Sequence, residues 1–130
     1  MAVTVTTQTL LDGTRNTIIK VTILGDGATE LTKQIIFDSS AYANDTQNNK
    51  LMRIQYNFDG FSGTLYWDAS TDVQMMTLNG DHPADQDFFY NGGLINNAGS
   101  GKTGDILLST HGLGSIPAAT GEIILYVKKK

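Results

Sequence analysis

The sequence predicts an all-β domain, an antiparallel β-sandwich, jelly-roll-like, with about eight to nine strands and little helix. Three observations predict it. Short extended runs rich in β-branched and aromatic residues recur at roughly 8–12-residue spacing. Turn pairs stand between them at Asp12-Gly13, Asp59-Gly60, Asn79-Gly80 and Asn91-Gly92, each offering a residue that tolerates positive φ. No window carries an apolar stripe at i, i+3, i+4 and i+7 over a useful length. Strand spacing by itself fits a sandwich or a barrel.

The elements follow in order. Val3 to Leu11 is dense in threonine and valine and is closed by Asp12-Gly13, a hairpin signal. Thr17 to Leu24 sets Ile19, Val21 and Ile23 on one face and the mixed residues Ile18, Lys20, Thr22 and Leu24 on the other, so its core side is fixed. Further strands are expected at Gln34–Phe37, Leu51–Phe58, Gly63–Trp67, Val73–Leu78, Asp87–Tyr90, Ile106–Ser109 and Ile123–Val127. Asp38 to Ala43 is expected to make one helical turn capped by Asp38. The stretches Asp38 to Lys50, Asn79 to Gln86 and His111 to Gly121 read as loops, where an interface is to be sought. Residues 1–130 are expected to form a single domain, with no repeat or linker legible in the sequence.

The chain has 130 residues, long enough to bury a core without staples. It has no cysteine, which excludes disulfides and Cys-based metal sites. Nine Lys and Arg are spread thinly and the net charge is −4, which leaves no basic footprint for nucleic acid. No apolar run approaches the ~20 residues of a membrane span, and Met1-Ala2-Val3-Thr4 does not read as a secretory leader. Charged residues are only 17% of the chain, against an average of about 25%. Thr, Asn, Gly, Ser and Gln fill the gap, a surface suited to packing against other protein.

Each candidate chemical site has a plainer alternative. Gly101-Lys102-Thr103 matches the end of a phosphate-binding loop, but Asn96 stands where the first glycine is required. The run Asp105 to Ser109 that follows reads as a strand rather than the helix such a loop needs. Asp81-His82-Pro83-Ala84-Asp85-Gln86-Asp87 offers oxygen ligands without the register of a calcium loop; a solvated turn capped by Asx side chains is preferred. Ser109-Thr110-His111 sets hydroxyls beside an imidazole but lacks an elbow and an orienting acid. With His82 the other histidine of the chain, a zinc site is not expected. Tyr56, Phe58, Phe61, Tyr66 and Trp67 crowd one short span and belong either to the core or to a sugar-stacking platform, the core being preferred. Lys128-Lys129-Lys130 reads as a solvated tail. The expected sets of catalytic, cofactor-binding and metal-binding residues are therefore empty, and no enzyme activity is expected.

Three stretches carry a resemblance: Ala2 to Asn16, Leu65 to Val73 (Leu-Tyr-Trp-Asp-Ala-Ser-Thr-Asp-Val), and Gly92 to Ile106. Together they resemble small virion structural proteins of tailed bacteriophages, especially short-tailed phages of aquatic bacteria. The resemblance implies a capsid decoration or cement protein, made in the host bacterial cytoplasm and carried on the capsid exterior, that binds the major capsid protein and catalyses nothing. Tail, neck and head-fibre components, or a carbohydrate-binding module, are the alternatives. The setting implies closed cyclic oligomers, with a trimer on three-fold axes favoured. The strand Val3–Leu10 is expected to pair internally with Thr17–Leu24 rather than to extend a neighbour's sheet.

Overall fold

Strand alternation decides the architecture. In β2 (Asn16–Leu24) every second residue from Thr17 to Ile23 is fully buried, while Lys20, Thr22 and Leu24 lie on the other face. The same period of two recurs in β10 (Thr120–Lys128), where Ile123, Leu125 and Val127 point inward. Two sheets that each own one apolar face must bury them against each other, and here they do.

The computed structural model describes residues 3–42, 47–80 and 84–129. Among them run β1 (Thr4–Asp12), β2, β3 (Gln34–Phe37), β4 (Lys50–Phe58), β5 (Ser62–Trp67), β6 (Val73–Leu78), β7 (Ala84–Asp87), β8 (Leu94–Ile95), β9 (Ile106–His111) and β10. One sheet has the order β1-β2-β10-β4-β7, with β8 also on β4; the other is β3-β9-β5-β6. All pairings are antiparallel. From β2 onward the chain changes sheet at each connection except β5–β6 and β7–β8. That is the jelly-roll connectivity: β2-β10-β4-β7 facing β3-β9-β5-β6, with β1 added outside β2.

The described strands number ten against the eight to nine expected. The difference lies in the aromatic run. Of Asp87–Tyr90 only Asp87 is a strand residue: β7 occupies Ala84–Asp87, its first three residues in the stretch expected to be loop, and Phe89–Asn91 forms a 3-10 turn. β7 pairs Asp87 with Arg53, and β8 resumes on the same strand with Leu94 against Leu51. The two are one strand line interrupted by residues 88–93. The Asp87 carboxylate opens the interruption by accepting the Phe89 N–H at 2.7 Å. Gly92 and Gly93, at φ +72° and +102°, close it with a backbone that other residues adopt poorly.

The core joins Trp67, Phe37, Phe58, Phe61, Ile54, Leu65 and Leu125 with the inward residues of β2 and β9. Phe58 and Phe61 stack at 4.6 Å beneath Gly121 of β10, where a Cβ would lie 2.7 Å from the Phe61 ring. The Asp12-Gly13 hairpin forms as expected, Thr4 pairing with Leu24 and Asp12 with Thr17. The helical turn is a 3-10 turn at Ser39–Ala41, with the Asp38 side chain accepting from the Ser40 N–H; Ala43 lies outside the described residues. The third loop is shorter than expected, since His111 ends β9 and β10 begins at Thr120.

Neighbouring residues of β5 test this arrangement. Trp67 is buried in the core, whereas Tyr66 turns outward beneath the Lys33 ammonium, 5.2 Å from its ring centroid. Trp67→Ala should lower unfolding stability by about 3–5 kcal/mol, and Tyr66→Ala by about 1 kcal/mol or less. Urea titration of both variants reads the difference; equal costs would contradict the assigned faces.

Candidate functional site

The interruption of the β7–β8 line displays side chains that a regular strand would have kept along the sheet. Tyr90 is 102% and Phe89 56% exposed. Around them the outer face of the first sheet is apolar. A bulge between Thr9 and Leu11 sets Leu11 opposite Ile18. A second leaves Met52 outside the β4–β10 ladder, since Tyr126 pairs with Arg53 and Val127 with Leu51. Leu11, Ile18, Met52, Phe89 and Tyr126, with Arg15 and Lys128 on the rim, line a groove of about 450 Å³. Of the exposed large apolar side chains, Leu10, Leu11, Phe89, Tyr90 and Ile95 gather at this end of the sandwich, leaving Leu24 and Ile35 elsewhere. Such concentration marks an interaction surface.

Next to the groove lies a polar lattice. Arg53 forks onto Asp85, Nε to Oδ1 at 2.8 Å and Nη2 to Oδ2 at 2.5 Å, which holds the Asp85 carboxyl below its ordinary value. The guanidinium also lies over the Tyr126 ring at 5.3 Å, and the Tyr126 hydroxyl donates to Gln55 Oε1. Asp85 is thus a strand residue engaged with arginine, not a member of a solvated turn. Asp81, His82 and Pro83 of the same acidic stretch lie outside the described residues.

The lysine tail is a correction. Lys129 is buried; its Nζ donates to Asp12 Oδ1 at 2.6 Å and to the Gly13 carbonyl at 2.7 Å. Its backbone N–H donates to Arg15 O. The ammonium pins the β1–β2 hairpin to the end of β10, and Lys130 lies outside the described residues. A chain-terminal run gives no pattern from which to read this, because the partner is 117 residues away.

The remaining candidates are built into the frame. Gly101-Lys102-Thr103 is a turn between β8 and β9: the Thr103 hydroxyl donates to Asp68 Oδ2 and the Ser70 N–H to Ser100 O. Burial pushes the Asp105 carboxyl up, and Asp38 and Asp68 add to the shift against the Ser39 N–H that Asp105 accepts. An anionic surround of this kind repels phosphate. Asn96 is buried, donating to Gln47 O and accepting from the Ala98 N–H. In β9 the Ser109 hydroxyl accepts from Lys33 N–H, and the His111 ring meets Thr64 Oγ1 at 3.3 Å. Tyr56, Phe58, Phe61 and Trp67 are buried, so four of the five rings serve the core; Tyr66 alone of the row faces outward, under Lys33.

At the opposite end, loops 25–33, 59–61 and 112–119 carry Asp26, Glu30 and Asp59 against a single cation, Lys33, whose ammonium is paired with Asp72 at 3.2 Å. Sequence reading passed over Glu30, which ties two of these loops together. Its Oε1 accepts from the Thr110 hydroxyl and Leu113 N–H, and its Oε2 from Gly114 N–H at 2.8 Å. Desolvation is the largest single influence on the Glu30 carboxyl and raises it, but the donors Gly114, Thr110 and Leu113 together hold it below the ordinary 4.5.

Two predictions follow from these ties. Lys129→Met should cost about 2 kcal/mol of unfolding stability, because it removes a buried donor to two acceptors, while Lys128→Ala stays within about 0.5 kcal/mol. For Glu30, the folded carboxyl titrates lower than the unfolded one. Its contribution is therefore complete above the unfolded value of 4.5 and lost as pH falls from there through the folded value. Urea midpoints of Glu30→Gln and the native chain should differ at neutral pH and converge in acid; a constant difference would contradict the linkage. Compared with known family profiles, curated proteins and solved structures, the chain gives no match.

Proposed function

We propose that the protein is a non-catalytic virion component, a decoration protein that clamps the assembled capsid shell of a tailed bacteriophage by its Phe89–Tyr90 end. The observation that carries this reading is the interrupted β7–β8 line. A strand that could have continued instead turns out to hold two aromatic side chains in water, a cost recovered when a partner covers them. Tyrosine beside an apolar groove with an arginine on its rim is the composition of interface anchors. The resemblance of the three stretches quoted above supplies the identity of the partner, the major capsid protein. Binding confined to the expanded, assembled lattice stabilises that lattice by mass action, and a rigid sandwich with little charge suits repeated packing on it. The buried ring row counts against the carbohydrate-module reading. A tail, neck or head-fibre location is the competing one.

Sedimentation with empty heads of the encoding phage, expanded and unexpanded, tests the proposal. The protein should pellet with expanded heads only. Tyr90→Ala should keep the urea midpoint within about 0.5 kcal/mol of native and weaken head binding by about tenfold or more. Binding to neither form would overturn the head assignment in favour of a tail or neck location, and full binding by Tyr90→Ala would overturn the assigned surface.

A further inference from the structure

The strand β1 pairs with β2 along its whole length yet buries little beyond Val5, which packs against the core. Of its nine residues only Val5 is even half-buried. Its sheet has five strands in a row where the facing sheet has four, and β1 is the outermost strand on the β2 side. One of its edges is paired with β2 from Thr4 to Asp12; among the described residues no strand lies on the other. Natural sheets blunt such an edge with lysine, proline, inward charges or bulges. Here Thr4 to Leu11 holds no charged residue and no proline, and the one bulge lies beyond Thr9.

We infer that the open edge of β1 pairs with the β1 edge of a second copy, antiparallel across a two-fold axis, joining two five-strand rows into one continuous ten-strand sheet. The sequence of the edge complements itself. Val3 to Thr9 reads Val-Thr-Val-Thr-Thr-Gln-Thr. Turned end for end about Thr6, it sets Thr6 on Thr6, Val5 on Thr7, Thr4 on Gln8 and Val3 on Thr9. Every pair contains a threonine, none sets like charges together, and β-branched cross-strand pairs of this sort favour a sheet. A two-fold contact also closes both edges at once and leaves no template for further growth. A two-fold pair differs from the three-fold arrangement expected from the resemblance. It involves neither Phe89 nor Tyr90, so it stands or fails apart from shell binding.

Sedimentation equilibrium of the purified full chain over a concentration series reads the outcome. The expected species is a dimer of about 28 kDa, twice the 14.0 kDa chain. Thr6→Lys sets two ammonium groups on the axis and should weaken the dimer by about tenfold or more, whereas Thr6→Ser should retain it. Circular dichroism and the urea midpoint, read where both are monomeric, should match for native and Thr6→Lys, because Thr6 is exposed on its own sheet. Hydrogen exchange should protect β1 amides in the native dimer and release them in Thr6→Lys. A monomer at all concentrations, a trimer, or a dimer indifferent to Thr6→Lys would each overturn the inference. Protection of β1 that arises only when phage heads are added would overturn it too, in favour of an arm of the shell protein as the occupant.

Discussion

Everything in this molecule depends on two apolar sheet faces closing on one layer of side chains. The period-two alternation of β2 and β10, and of β4 from Ile54 onward, commits one face of each strand to that layer, while β9 is buried from Ile106 to Thr110. The layer is thick with rings, and glycine makes room for them: Gly121 lies against Phe61 and Phe58, and Gly80 lies so close to the Phe61 carbonyl that no side chain fits between. Because the core consumes Tyr56, Phe58, Phe61 and Trp67, any recognition must use what the sheets leave outside. What remains outside is small: an apolar end, an acidic end and an open edge.

The central strands were legible because burial imprints a pattern. Thr17–Leu24, Leu51–Phe58 and Ile123–Val127 declare their inner faces in the order of their letters, and each lies within an observed strand. β7 was not legible for the complementary reason. Ala-Asp-Gln-Asp is an edge strand with three exposed residues, held by its ladder to β4 and by the Arg53 fork, so nothing local marks it. The neighbouring Phe-Phe-Tyr reads as a strand on propensity, but the paired glycines after it and the Asp87 cap before it turn it outward. Lys129 and Glu30 were missed because their partners are distant in sequence, and a single chain offers no covariation between Lys129 and Asp12 or between Glu30 and Gly114.

The two ends of the sandwich differ in chemistry. One gathers Asp26, Glu30 and Asp59, with Glu30 spent on bracing loops rather than on a ligand. The other combines Phe89, Tyr90, Leu11 and Met52 with Arg15 and Lys128. The second offers large apolar area to a partner and a positive rim to steer an acidic one. The hydroxyls and carboxylates singled out in the sequence, at Ser109, Thr110, Thr103 and Asp85, are spent on internal hydrogen bonds.

A reconstruction of expanded phage heads saturated with the protein tests the central claim most directly. The account predicts sandwiches standing on the shell through residues 88–93, with Tyr90 seated in a capsid-protein pocket and the acidic loops facing solvent. Sandwiches attached by the acidic loops, or heads carrying no added density, would contradict it.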